Sequence, residues 1–196
     1  MSEQFRLFIA LPIPDEIKNR IEAVQSEFRP LFPGNAARWT QRKQFHLTLR
    51  FLGGVEIDQV DELIKAVGAA CRPFSALRLS ATSLGVFPRS GPPSVLWVGV
   101  KDSDEQLTAL WSALQSATGP FTREPAETHF TGHVTLARFN RLQKAQINVL
   151  AAAIAKYDLH VFGFWSADHL MLVRSELLAE GARHTVLAEL ELMNHG

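Results

Sequence analysis

Two short stretches carry the residue types that do proton chemistry. His46-Leu47-Thr48-Leu49 recurs, eighty-seven residues later, as His133-Val134-Thr135-Leu136. Both sit in apolar, strand-like surroundings, Phe45 to Leu52 and His133 to Phe139. Side chains of a strand alternate between its faces, so each copy puts one imidazole and one hydroxyl on a single face and its aliphatic residues on the other. Histidine gives and takes protons near neutrality. Two of them about one centre could serve as acid and base, with two hydroxyl donors beside them. Phosphodiester cleavage has these needs: a nucleophile is activated, an alkoxide leaves, and negative charge stays on the non-bridging oxygens. Thr48 and Thr135 would donate to those oxygens, and Arg138 would add a cation with bidentate reach. By simple alternation Arg138 falls on the face opposite His133 and Thr135, so a bulge or the strand's end must bring it round. One His-x-Thr alone is more often a structural pair; two copies at matching places in a repeated layout favour a site.

The elements that must position these residues alternate between strand and helix. Gln4 to Leu11 reads as a buried strand, and Pro14-Asp15 opens a helix that Pro33-Gly34 stops. Arg38-Trp39-Thr40 leads into the first His-x-Thr strand, which Gly53-Gly54 is expected to break. A helix over Asp58 to Cys71 follows, then strands in Phe74 to Phe87 and Val95 to Val100, with a loop from Pro88 to Pro93. Ser103 or Asp104 is placed to cap a helix through Leu107, Leu110, Trp111 and Leu114. After the second His-x-Thr strand come a helix from about Gln143 to Lys156 and strands over Leu159–Trp165, His169–Val173 and Thr185–Leu192. The order repeats, and the expected architecture is α+β. Two pseudo-symmetric lobes, each an antiparallel-rich sheet with helices on its outer face, form one central cleft, and residues 1–196 make a single bilobal domain.

Composition narrows the function. Apolar residues make up 46% of the 196, enough for a core. Twenty basic and twenty acidic side chains cancel, which argues against a protein that coats nucleic acid through bulk charge and leaves room for a local basic patch. The single cysteine, Cys71, permits no internal disulfide and no cysteine zinc site, and is expected to be inert core. No secretory segment opens the chain and no apolar run reaches membrane-spanning length, so a cytoplasmic protein without a membrane partner is expected. His129 and His133 are four apart, but the strand pattern disfavours a metal there. His160, His169, His184 and His195 are scattered, with His184 able to face the cleft. Arg42, Lys43, Arg174 and Arg183 could form a basic rim. Trp39, Phe87, Trp97 and Trp165 could stack a base, although Trp97, Trp111 and Trp165 sit among aliphatics and suit the core.

The tetrapeptides resemble those of the 2H phosphoesterase superfamily, and within it the bacterial RNA 2′,3′-cyclic phosphodiesterases, also called 2′-5′ RNA ligases. So do Phe51-Leu52-Gly53 after the first and Ala137-Arg138 after the second. Arg6 to Ala10, Gly85 to Pro88, Val95 to Gly99 and Leu172 to Leu177 are similar to that family as well. Gly132 stands where the family often has proline, and His184 where it often has tyrosine. The resemblance implies metal-independent hydrolysis of a terminal 2′,3′-cyclic phosphate to a 2′-phosphate, with no cofactor and with possible reversal to 2′-5′ ligation. It implies His46 as proton donor, His133 as proton acceptor, and Thr48, Thr135 and Arg138 as phosphate ligands. Expected partners are RNA ends bearing the cyclic phosphate, tRNA fragments among them, or small nucleotides, met by a monomer. The alternatives are a phosphodiesterase acting on a small cyclic nucleotide, a 2′-5′ oligonucleotide or an ADP-ribose cyclic phosphate, and an RNA-end binding module.

Overall fold

The computed structural model describes residues 3–178 and 181–193; His195 lies outside them. Nine strands and four α-helices are found among these residues. They are β1 (Gln4–Pro12), α1 (Asp15–Phe28), β2 (Ala37–Trp39), β3 (His46–Glu56), α2 (Val60–Cys71), β4 (Leu77–Phe87), β5 (Val95–Asp102), α3 (Gln106–Thr118), β6 (His133–Phe139), α4 (Lys144–Ala155), β7 (Val161–Ala167), β8 (His169–Leu178) and β9 (Gly181–Glu191). They form two antiparallel sheets. One has the order β3-β1-β8-β9, the other β2-β6-β5-β4-β7. Helices α2 and α3 pack together, with α2 against β9 and α3 against β3, while α1 meets β7 and α4 meets β4. This is the expected α+β layout, with one His-x-Thr strand in each sheet.

The lobes are not the two halves of the chain. The first sheet joins the amino-terminal β1 and β3 to the carboxy-terminal β8 and β9, and β2 crosses to pair with β6. The buried apolar residues of both sheets, Ile9 and Leu47 in one and Val98 and Leu136 in the other, belong to one contiguous cluster. The two sheets approach each other along β3 and β6, where Cα atoms of the two strands come within 8 Å.

Local chemistry explains where the structure departs from the sequence expectations. Gly53-Gly54 does not end β3, which runs on to Glu56. Instead Leu52 is an extra residue opposite the Leu7/Phe8 step of β1, and Gly53 takes a positive φ of 62° beside it; glycine alone adopts that conformation at no cost to the strand. Neither Ser103 nor Asp104 caps α3. Asp104 is taken by Arg78 at 2.7 Å; the N-cap position is Glu105, and the first-turn N–H of Leu107 is met instead by Asp102 Oδ2 at 2.9 Å. Arg38-Trp39 does not run directly into the first His-x-Thr strand but forms the short edge strand β2 of the other sheet.

Both motif strands carry a further bulge, in the same place. Ile9 pairs with Arg50 and Ala10 with Thr48, which leaves Leu49 as the extra residue of β3. Leu96 pairs with Ala137 and Trp97 with Thr135, which leaves Leu136 as the extra residue of β6. A bulge advances the alternation by one residue. His133 and Thr135 therefore share a face with Arg138, while Leu136 and Ala137 are both fully buried. In β3 the same shift places Phe51 after His46 and Thr48. The carbonyl of Leu136 accepts from the Thr40 N–H at 2.8 Å and from Nε2 of the buried Gln25 at 2.7 Å. Gln25→Leu removes a donor from a buried carbonyl, so a loss of about 1–3 kcal/mol of stability in denaturant titration is expected.

Candidate active site

A cleft of about 930 Å³ lies between the sheets, and His46, Thr48, His133, Thr135 and Arg138 all line it. The five residues singled out by motif and resemblance thus converge on one cavity. The two motifs hold their imidazoles identically. His46 Nδ1 donates to the Gln44 carbonyl at 2.7 Å, and His133 Nδ1 donates to the Thr131 carbonyl at 2.7 Å. A carbonyl only accepts, so each Nδ1 carries the hydrogen and each Nε2 is left as the nitrogen that exchanges a proton. Apolar rings brace both. Phe8 stacks on His46 at 4.8 Å, and Phe87 meets His133 edge-on at 5.0 Å. Trp97 lies behind His133 at 6.3 Å and presses on Gly85, where a Cβ would come within 2.2 Å of its ring.

The segment that delivers His133 is fastened to the opposite sheet. Arg50, only 2% exposed, donates from Nη1 to the Pro125 carbonyl at 2.8 Å and from Nη2 to the Glu124 carbonyl at 3.0 Å. Thr122 Oγ1 donates to the Leu52 carbonyl at 2.6 Å. Gln44 does similar service for His46: its carbonyl holds the ring, and its Nε2 reaches the Ala182 carbonyl of β9 at 2.5 Å. That strand also brings His184 into the cleft, 5.5 Å from His46 and 5.1 Å from Phe8, both edge-on.

Both motif imidazoles are held toward the neutral form in the free protein. Burial is the main cause for His46, whose pKa falls to about 4. His184 and His133 push the same way, and the bond to Gln44 opposes them. His133 is lowered first by burial and then by Arg138, against the Thr131 carbonyl and Glu127. His184 is lowered by burial. The folded value for His46 lies below the unfolded one, so the stability tied to its neutral form is present above about pH 6.5 and is lost as pH falls through about 4.

Other sequence expectations resolve unevenly. Trp39 and Phe87 reach the cleft, whereas Trp97, Trp111 and Trp165 do not line it. His129 lines it too. His169 pairs with Asp168, and His160 packs on Tyr157 and Phe162. Cys71 is fully buried, and burial raises its thiol to about 11, as suits an inert core position. The expected basic rim is spent elsewhere. Arg42 bonds Asn19 and pairs with Asp15 and Glu22 on α1, and Arg174 and Arg183 both pair with Glu176. The arginines that line the cleft beside Arg138 are instead Arg6, 4.7 Å above the Phe51 ring, and Arg38. No sequence signal singled out Arg38: the acid-free run between Glu27 and Glu56 holds five basic residues, Arg42 among them.

Two equivalent His-x-Thr strands facing one cavity across two sheets define a two-histidine phosphoesterase class. The model of the LigT-like phosphoesterases matches residues 11–97. The RNA 2′,3′-cyclic phosphodiesterase of Escherichia coli is 31% identical over 138 residues, 70% of this chain and 74% of that protein. The protein of the same name from Aquifex aeolicus is 28% identical over 95% of this chain and 97% of its own. The crystal structure of TT0787 of Thermus thermophilus superposes with a TM-score of 0.79 at 25% identity, covering 97% of this chain and all of that one. The chain belongs to the LigT-like phosphoesterase family.

The charge balance in the cleft is directly measurable. In an NMR pH titration the His46 ring should titrate near 4 in the free protein. Inorganic phosphate should move that value upward, because an anion favours the imidazolium. His184→Gln should also raise it, by removing a like charge; an unmoved His46 in that variant would show that the third imidazole has no electrical hold on the first.

Proposed function

We propose that this chain hydrolyses the terminal 2′,3′-cyclic phosphodiester of RNA to a 2′-phosphomonoester, without a metal. One observation carries the reading: two imidazoles, each with Nδ1 tied to a carbonyl and Nε2 left for proton transfer, belong to opposite walls of one cleft. His133 Nε2 takes a proton from water as its oxygen attacks phosphorus. The bond from phosphorus to O3′ breaks, and His46, protonated on Nε2 in the bound complex, gives that proton to O3′. A 3′ hydroxyl and a 2′-phosphate result. The Thr48 and Thr135 hydroxyls and the Arg138 guanidinium hold the non-bridging oxygens, whose charge persists throughout. With a 5′ hydroxyl in place of water, the same steps form a 2′-5′ linkage.

The acid must begin protonated, yet the free protein holds His46 neutral. The substrate's own negative charge supplies the missing stabilisation of the imidazolium. The kcat/KM profile reports the free enzyme and the kcat profile the complex. Both should be bell-shaped. With both imidazoles lowered in the free protein, the kcat/KM optimum should fall below about pH 6.5, and the kcat optimum should lie at higher pH.

His46→Ala and His133→Ala should each lower kcat by about 10²–10⁴ on a nucleoside 2′,3′-cyclic phosphate, measured by release of the 2′-phosphate. EDTA should leave the wild-type rate unchanged. Near-normal turnover in either alanine variant would remove the paired-imidazole mechanism.

A further inference from the structure

Arg38 and Arg138 stand directly opposite each other across the antiparallel pair of β2 and β6, and both line the cleft. Residues so paired have Cα atoms about 4.5–5.5 Å apart and point to the same side of the sheet. Like charges in that position repel. Arg42, Arg78 and Arg183 meet carboxylates, Asp15, Asp104 and Glu176 respectively, whereas Arg38 and Arg138 face each other across the strand pair. Among the described residues, the guanidinium of neither Arg38 nor Arg138 makes an ion pair or a hydrogen bond. Among the described residues that line the cleft, Glu127 is the acidic side chain and Arg6, Arg38 and Arg138 are the arginines. With Arg138 assigned to the reacting phosphate, the unmatched guanidinium beside it is placed for a second phosphate adjacent to the first.

The place of the pair along β6 says which anion. Arg138 lies three residues beyond Thr135, with one residue bulged out, roughly 7–10 Å at about 3.3 Å per residue. Its long side chain can reach back toward His133, which feels its charge. Arg38 lies one strand further out than His133 and Arg138, on the edge strand β2. At the equivalent place in the other lobe stands Phe51, covered by Arg6. The cleft is therefore asymmetric: its β2–β6 end presents two adjacent guanidiniums, and its β1–β3 end presents a ring capped by one.

We infer that Arg38, beside Arg138, is the binding site for the next phosphodiester of the RNA strand, the one on the 5′ side of the nucleotide that carries the cyclic phosphate. This rests on the proposed function and deepens it. The substrate class becomes an oligonucleotide end rather than a mononucleoside cyclic phosphate, and the strand leaves the cleft over β2.

The test compares kcat/KM for a dinucleotide ending in 2′,3′-cyclic phosphate with that for the matching nucleoside 2′,3′-cyclic phosphate, at fixed salt. Wild type should favour the dinucleotide by about ten- to a hundredfold, the worth of one charge-assisted contact. Arg38→Gln should bring that ratio close to one, and Arg38→Lys should restore part of it. The salt slope of log kcat/KM on the dinucleotide should become shallower by about 0.7 in Arg38→Gln, one phosphate contact on a single strand. Circular dichroism melting of each variant reads out folding separately. A wild-type ratio near one overturns the site while leaving hydrolysis standing, and so does an Arg38→Gln variant that loses both substrates equally. Loss of the ratio in Arg6→Gln but not in Arg38→Gln places the strand at the other end of the cleft and also overturns it. Failure of wild type to hydrolyse either substrate removes the proposed function itself.

Discussion

The site depends on an irregularity that each motif strand carries in the same position. A regular strand would put Arg138 behind His133, in the core, where a guanidinium is costly to bury unpaired. The extra residue at Leu136 turns the strand so that two consecutive buried positions, Leu136 and Ala137, precede an exposed Arg138. Leu49 does the same in β3, where Arg50 becomes the buried residue and Phe51 the cleft residue. One backbone device thus has two outcomes. In β6 it delivers a cation to the cleft. In β3 it delivers a cation to the interior, where Arg50 finds the Glu124 and Pro125 carbonyls and ties down the segment leading to His133. The bulge of one sheet so helps position the histidine of the other.

The shared hold on the two imidazoles has a chemical consequence. Each ring is fixed by a carbonyl two residues earlier in the chain, so neither depends on a carboxylate to orient it. A carboxylate partner would raise the pKa and add negative charge beside a phosphate. A carbonyl orients the ring with less of both. Burial against Phe8 and Phe87 then pushes the rings toward the neutral form, and His184 adds to this for His46. A phosphate in the cleft would shift both rings back toward the charged form, since a nearby anion favours the imidazolium.

The pairing of histidine with threonine on one face was legible in the sequence because strand alternation is local and the motif occurs twice. So were most helices, whose apolar spacing is also local. Three things were not. The bulges arise from a mismatch between partner strands, and no residue of β6 alone announces that Leu136 has no opposite number on β5. The exchange of strands between sheets is a choice among distant partners, which spacing along the chain does not encode. The fate of each charged residue depends on what packs beside it: Arg42 and Arg174 look as available as Arg38 in the sequence, yet acids on α1 and β8 claim them. Glycine was legible as a breaker, but Gly53 shows that a positive φ can serve a bulge inside a strand as well as its end.

The zero net charge and the basic cleft are two sides of one arrangement. If the twenty basic side chains were spread evenly among the twenty acids, no part of the surface would attract a phosphate over another. Here acids are placed beside arginines outside the cleft, at Asp15, Asp104 and Glu176, while among the described cleft residues Arg6, Arg38 and Arg138 share one glutamate, Glu127. Beyond a screening length of about 8–10 Å the molecule presents little field, so a long nucleic acid gains little by lying along it. Within that distance the walls of the cleft are positive, and the excess lies where a strand end can enter. Selection for an end over a continuous strand can thus rest on where the carboxylates are withheld, as much as on any contact to a base.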